Sequence, residues 1–259
     1  MGEKYVALCV CGVSIMLCNG GFWDIHCHIL PELDDGARDF EETKDMLQTA
    51  YEEGIRRIIA TPHYFATRKS AGAEQIRESV ERINQFLKER DIPISIYCGN
   101  EIFYRTGMAD LLEEGGILTL AGSRYVLVEF NPGVDFPYLR DGMGELLRYG
   151  YFPILAHAER YDCLYEKKDR IRELRNSGIY FQINASSCLQ GMMSEDKKRV
   201  KILMKENCFH FMGTDAHSNR TRSPKMKQAV AWLYKKLGND KAEQILFTNP
   251  DSIIQNKRI

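Results

Sequence analysis

The chain has 259 residues, 44% of them hydrophobic and 27% charged, which is enough for one large core. Its 35 basic and 36 acidic residues leave a formal net charge of −1, so nothing overall calls for nucleic acid or an anionic membrane, and any phosphate affinity has to be local. The 8 cysteines are scattered with no C-x-x-C pair, and none has arginine six residues on, which sets aside a disulfide scaffold, a paired-thiolate zinc site and a C-x5-R thiolate loop in favour of a reduced, cytoplasmic protein.

In chain order, the first feature is a largely apolar run from Tyr5 to Cys18. It is too short to span a bilayer as a helix and close in length to a signal-peptide core, but Glu3 offsets Lys4 and no small-residue cleavage site precedes Cys18. A start codon assigned too early, with the chain proper beginning near Gly21, explains residues 1–21 as well as export does. No stable membrane insertion is expected, and residues 22–259 read as a single domain.

From Phe22 onward, short apolar or β-branched runs alternate with amphipathic stretches. Seven runs read as strands: Phe22–His26, Ile55–Thr61, Ile94–Cys98, Tyr125–Phe130, Phe152–Ala156, Ile179–Ile183 and Phe209–Gly213. Their starts lie 27 to 39 residues apart, the length of a strand, a crossover helix and a return, so parallel βα units follow. Between them, Ile76, Val80, Ile83 and Leu87 make one apolar helical face, and Gly54 ends the preceding helix. The charged runs Lys167–Arg175 and Glu195–Lys205 read as solvated outer faces. There is no G-x-x-x-x-G-K-[ST] loop, and Gly142-Met-Gly144 lacks the third glycine of a dinucleotide fingerprint. Seven similar units without a glycine-rich first turn favour a barrel over an open sheet.

The histidines and acids fall at the strand ends. His26, His28, His63, Glu101, Glu129, His157, Asp215 and His217 all stand at or just past a predicted strand C-terminus, where a βα barrel carries its site. His26-Cys27-His28 puts two imidazoles on one side of a strand, and Asp215-Ala216-His217 adds a carboxylate and an imidazole on the strand that closes the barrel against the first. Cys27 points the other way. Glu129 ends an otherwise apolar run, where a carboxylate is costly unless paired or metal-bound. Asp34-Asp35-Gly36 lies on the first loop over the mouth. Arg160 and Arg222 follow His157 and His217 closely enough to clamp phosphate oxygens. Four carboxylates, Asp35, Glu101, Glu129 and Asp215, against three divalent cations leave a positive surplus suited to a phosphate dianion. Oxygen and nitrogen ligands without thiolates favour manganese, iron or zinc.

These segments resemble the PHP (polymerase and histidinol phosphatase) superfamily, and within it the bacterial tyrosine-protein phosphatases of capsule and exopolysaccharide loci. The matching stretches run from Asp24-Ile-His26-Cys-His28 with Asp34-Asp35-Gly36, through Thr61-Pro62-His63, Gly99-Asn-Glu101, Leu127-Val-Glu129 and Leu155-Ala-His157-Ala-Glu-Arg160-Tyr161, to Gln182-Ile-Asn184 and Thr214-Asp215-Ala-His217. The resemblance implies a distorted (β/α)7 barrel and three divalent metal ions, with Mn expected. His26, His28, Glu101 and Asp215 would hold the first, Glu101, Glu129 and His157 the second, and Asp35, His63 and His217 the third. Arg160 and Arg222 would stabilise the phosphoryl group beside Asp215 while water activated on the cations attacks phosphorus. The implied substrate is a phosphotyrosine protein, a bacterial tyrosine kinase, with homo-oligomerisation left open. A small-molecule phosphatase such as histidinol-phosphatase is the alternative, to be decided by the loops after Phe65 and Phe130. A metal-binding regulatory module and a nuclease fit less well.

Overall fold

In the computed structural model, which describes residues 6–10, 13–17, 21–68, 70–191 and 193–259, the chain opens with an antiparallel pair, β1 (Val6–Val10) and β2 (Val13–Leu17). The expectations for residues 1–5, 11–12 and 18–20 lie outside the described residues. The apolar run read as a candidate export core is thus, where described, a pair of short β-strands. Period alone cannot separate a short apolar strand from a short apolar helix.

The seven expected strands then follow. They are β3 (Phe22–Cys27), β4 (Ile55–Ala60) with its continuation β5 (His63–Tyr64), β6 (Ser95–Cys98) with its continuation β7 (Glu101–Phe103), β8 (Tyr125–Glu129), β9 (Phe152–Leu155), β10 (Tyr180–Asn184) and β11 (Phe211–Gly213). All pair in parallel, as a three-stranded sheet β3-β4-β6 and a six-stranded sheet β11-β10-β9-β8-β7-β5. The β3 and β11 edges meet at a parallel bridge between Cys27 and Ala216. There His28 N–H donates to the Ala216 carbonyl and Asp215 N–H to the His26 carbonyl, each at 2.8 Å. The result is a curled, distorted barrel of the expected class. Two of its strands break and resume, at Thr61-Pro62 and at Gly99-Asn100.

Helices on the outside follow from ordinary local signals. In α1 (Phe40–Glu52) the Asp39 carboxylate accepts from Glu42 N–H at the first turn, and Gly54, at φ 87°, follows its end. In α2 (Ala73–Glu89) the buried residues are Ile76, Val80, Ile83 and Leu87, the stripe that the spacing implies; full burial of such side chains is worth about 1.5–3 kcal/mol each. Next come α3 (Met108–Glu113), α4 (Phe136–Arg148), α5 (Asp162–Tyr165), α6 (Lys168–Asn176), α7 (Glu195–Lys205), α8 (Lys227–Leu237), α9 (Asn239–Glu243) and α10 (Asn249–Ile254).

Strand β8 shows how the layers arise. Val126 and Val128 join the large outer cluster that meets the helices, while Tyr125 and Leu127 join an inner cluster with Trp23, Ile25, Ile154 and Phe211. The next residue of that inner-facing series is Glu129, at the mouth, so the period of two that fills the barrel also delivers the carboxylate.

Candidate metal centre

Every histidine and carboxylate singled out at a strand end is brought to one place. Three groups offer ligand atoms that lie within 4.8 Å of one another: His26, His28, Glu101 and Asp215; His28, Asp35, His63 and His217; and His63, Glu101 and Glu129. The first is the set expected for one cation. The second is the set expected for another with His28 added. In the third, His63 stands where His157 was expected, and His157 Nε2 lies beside the same carboxylates, 3.0 Å from Glu101 Oε1 and 3.4 Å from Glu129 Oε2. Among the described residues no arginine pairs with Glu129; its carboxylate faces His63 and His157.

Backbone geometry makes this convergence. His157 and Asp215 sit at φ 33° and 54°, in the left-handed region that non-glycine residues avoid at a cost of about 1–3 kcal/mol. A Cβ on Gly213 would stand 2.7 Å from His26 Cβ, and one on Gly36 would stand 2.2 Å from the His28 carbonyl oxygen. Only glycine lets β11 and the Asp34-Asp35-Gly36 loop approach the two histidines so closely.

Lone pairs crowd together in the centre. His26 Nδ1 donates to Gln182 Oε1 at 3.1 Å, and His28 Nδ1 to Asp34 Oδ2 at 2.6 Å. In a neutral imidazole that leaves both Nε2 atoms as acceptors, and they face each other at 3.2 Å. Glu101 Oε2 stands 3.2 Å from His26 Nε2, 3.2 Å from His28 Nε2 and 3.1 Å from His63 Nδ1. Yet Glu101 Oε2, His63 Nδ1 and His217 Nε2 are buried without a hydrogen bond among the described residues. Buried acceptors without donors are costly, and a divalent cation is the group that satisfies several at once. The donor set fits metal.

In the bare protein, protons answer the same need. Burial disfavours charge on His28, but Asp34 and Glu101 outweigh it and lift the imidazole to about 9. Burial is likewise overcome by Glu101 and Glu129 at His63, raised to about 11, and at His157, raised to about 10. His217 goes the other way, to about 3, through burial and the charges of His28 and Arg222. Burial raises Glu101 and Asp215 too, but the surrounding imidazoles prevail and hold both carboxyls well below the usual range. A cation held here would displace these protons, so its uptake would release protons and tighten as pH rises.

Asp215 is also where the two arginines meet. Arg222 Nη2 donates to its Oδ1 at 2.6 Å, Arg160 Nη1 lies 3.3 Å from its Oδ2, and Asn184 Nδ2 donates to Oδ2 at 2.9 Å. Both guanidiniums are part-exposed and line a pocket of about 470 Å³. Asp35, 67% exposed, reaches His63 and His217 only at 3.5 Å. Its neighbour Asp34 has no place in the expected ligand set, yet it is largely buried and holds His28 and the His63 N–H. Burial would raise the Asp34 carboxyl, and these bonds bring it down to about 2. Gln182 and Asn184 were missed as well: Gln182 accepts from the His157 N–H at 2.8 Å and donates to Asn184 Oδ1 at 2.8 Å, tying His26 to Asp215. Two amides inward on an otherwise apolar strand, Gln182 and Asn184, were the available signal. Asp24, fully buried and raised to about 6 by burial against its hydrogen bonds to Thr214 and His26, ties β3 to β11. His210, the histidine outside the strand-end set, accepts from the Phe181 N–H and is lowered to about 4 by burial.

Tyrosine-protein phosphatase CpsB of Streptococcus pneumoniae is 33% identical over 241 residues, covering 91% of this chain and 99% of that protein. Tyrosine-protein phosphatase YwqE of Bacillus subtilis is 33% identical over 238 residues, covering 91% and 92%. A crystal structure from work on YwqE of B. subtilis and CpsB of S. pneumoniae, described as metal-dependent tyrosine phosphatases, superposes with a TM-score of 0.85 at 31% identity, over 92% of this chain and 96% of that one. Residues 22–255 match the family model described as capsular polysaccharide synthesis, CpsB/CapC, and the chain belongs to that family.

Proposed function

We propose that this chain is a metal-dependent protein-tyrosine phosphatase, a phosphoric monoester hydrolase acting in capsule or exopolysaccharide synthesis. The observation that carries the reading is the crowd of buried imidazole nitrogens and carboxylate oxygens around Glu101, several of them without a hydrogen bond among the described residues, with two arginines on Asp215 at its edge. Residues 22–259 act as one phosphoesterase domain, and the substrate is a phosphotyrosine protein, a bacterial tyrosine kinase, met in the cytoplasm. Among the described residues no helix is long and apolar enough to cross a membrane.

Three divalent cations, manganese first, are held by His26, His28, Glu101 and Asp215; by Glu101 and Glu129 with His63 and His157; and by Asp35, His63 and His217 with His28. When bound they supply activated water and positive charge. Gln182 and Asp34 hold His26 and His28 with the Nε2 lone pairs inward. Arg160 and Arg222, already ordered on Asp215, bind the phosphoryl oxygens and stabilise the charge that grows on them. Tyrosine leaves as a phenolate of pKa about 10, so no strong general acid is needed.

The test is turnover of a phosphotyrosine peptide beside histidinol phosphate, before and after chelation. We expect the peptide to be preferred, chelation to abolish activity and manganese to restore it. Full activity in excess chelator after prolonged dialysis, or a preference for histidinol phosphate, overturns the proposal.

A further inference from the structure

Several pockets border the cluster, and two of them share no lining residue. One holds Arg160, Arg222 and Asp215. The other, of about 310 Å³, is bounded by Leu33, Asp35, His63, Phe65, Arg68 and Ser70. A phosphate monoester on the cluster has two ends to place, the phosphoryl oxygens and the leaving group. The arginines account for the first.

The second pocket has the wall that an aromatic leaving group needs. Phe65 leaves β5 with its ring 5.2 Å from the His63 ring and 5.3 Å from the Phe103 ring. Its backbone is pinned on both sides by one hydroxyl: Phe65 N–H donates to Ser70 Oγ at 2.8 Å, and that hydroxyl donates to the Phe65 carbonyl at 3.2 Å. The exposed Arg68 lays its guanidinium carbon 3.4 Å from the Phe65 ring centroid, a planar cation on a planar ring. Leu33 completes an apolar boundary. The other loop of interest, after Phe130, does not line this pocket; Phe130 is buried on Tyr104, Tyr138 and Tyr161.

We infer that this pocket receives the phenyl ring of phosphotyrosine, with Phe65 and Arg68 as its specificity-determining wall. The inference rests on the tyrosine-phosphatase reading and deepens it. A tyrosyl ring offers π faces to both Phe65 and the guanidinium, whereas a seryl methylene offers neither. Selectivity for aryl esters then comes from the leaving-group side, separately from the phosphoryl clamp.

The experiment uses the metal-loaded enzyme and two non-hydrolysable probes with the same head group, benzylphosphonate and methylphosphonate, as competitive inhibitors of p-nitrophenyl phosphate hydrolysis. The parent should favour benzylphosphonate by about tenfold or more, and Phe65→Ala should remove most of that preference. Arg68→Ala should reduce it about threefold. Because Phe65 touches His63, bound metal is measured for each variant; Arg68 is exposed and touches no proposed ligand, so it keeps the test decisive if Phe65→Ala loses metal. A parent without aryl preference, an unchanged ratio in metal-loaded Phe65→Ala, or, where Phe65→Ala loses metal, an Arg68→Ala ratio within about 1.3-fold of the parent overturns the inference. Failure of the parent to hydrolyse a phosphotyrosine peptide overturns the proposed function instead, a separate result.

Discussion

The foot and the mouth of the barrel are built from the same strands with opposite chemistry. At the foot, Trp23, Tyr125, Ile154 and Phe211 are buried among one another. At the mouth, three or four residues further along the chain from these, stand His26, Glu129, His157 and Asp215. The foot satisfies itself: Trp23 Nε1 donates to Asp251 at 2.8 Å and the Tyr125 hydroxyl to the Lys257 carbonyl at 2.7 Å. The mouth does not, since Glu101, His63 and His217 each keep an unpaired buried atom. Stability is thus concentrated where polar groups are paired, and binding where they are left in want of a cation.

The comparison breaks most visibly at the foot. Trp23→Ala should destabilise the protein by about 3–5 kcal/mol, read as a fall in the urea midpoint, from lost burial and the cavity left behind. Molecules that remain folded in the cold should keep their metal and their kcat. If metal content falls in parallel with stability, the two ends are not separable.

At the mouth, Arg160→Ala should leave both fold and metal intact while cutting kcat/KM on a phosphotyrosine peptide by roughly a hundredfold, the cost of one preorganised donor at about 3 kcal/mol. Lysine should rescue only part, because a point charge cannot reproduce the two-pronged guanidinium. A kcat/KM within about threefold of the parent would make Arg160 a surface residue.

The two ends were not equally legible in sequence. All seven barrel strands could be read from apolar runs, as could the α2 stripe and the glycine after α1, because these follow local periodicity. The inward series Tyr125, Leu127, Glu129 obeys the same rule, so its carboxylate could be placed at the mouth. The breaks that create β5 and β7 could not be read, since two- and three-residue ladders carry no period. Nor could the left-handed turns that swing His157 and Asp215 inward, which tertiary contacts impose. Asp34 and Asp35 are indistinguishable as letters; only the loop's close approach at Gly36 puts Asp34 on His28 and leaves Asp35 exposed.

A smaller effect tests whether the mouth is held by its supports. Gln182→Leu removes the acceptor that fixes the His26 tautomer and the link to Asn184 and Asp215, and losing such a partner typically costs ten- to a hundredfold in metal affinity, about 1.4–2.8 kcal/mol. Calorimetric titration of the chelated protein with manganese reads this directly. Unchanged affinity would show that His26 is oriented by packing alone.

The smallest expected effect is on the cysteines, and it asks whether any nucleophile at the mouth is a protein side chain. A nucleophilic cysteine needs a depressed pKa and a cationic, accessible setting. Burial instead pushes Cys163 up to about 11 and Cys208 to about 12, and raises Cys27, Cys98 and Cys188. Cys27 ends β3 between the two histidines but faces outward, its sulfur 4.0 Å from the Ala216 carbonyl. Cys188 lies in the turn after β10, fully buried. Serine at position 188 should therefore leave kcat/KM within about twofold of the parent, and alkylation of accessible thiols should do the same. Loss of turnover in Cys188→Ser with fold and metal content intact would mean that a thiolate performs the attack, and the cation-centred account of the mouth would fall with it.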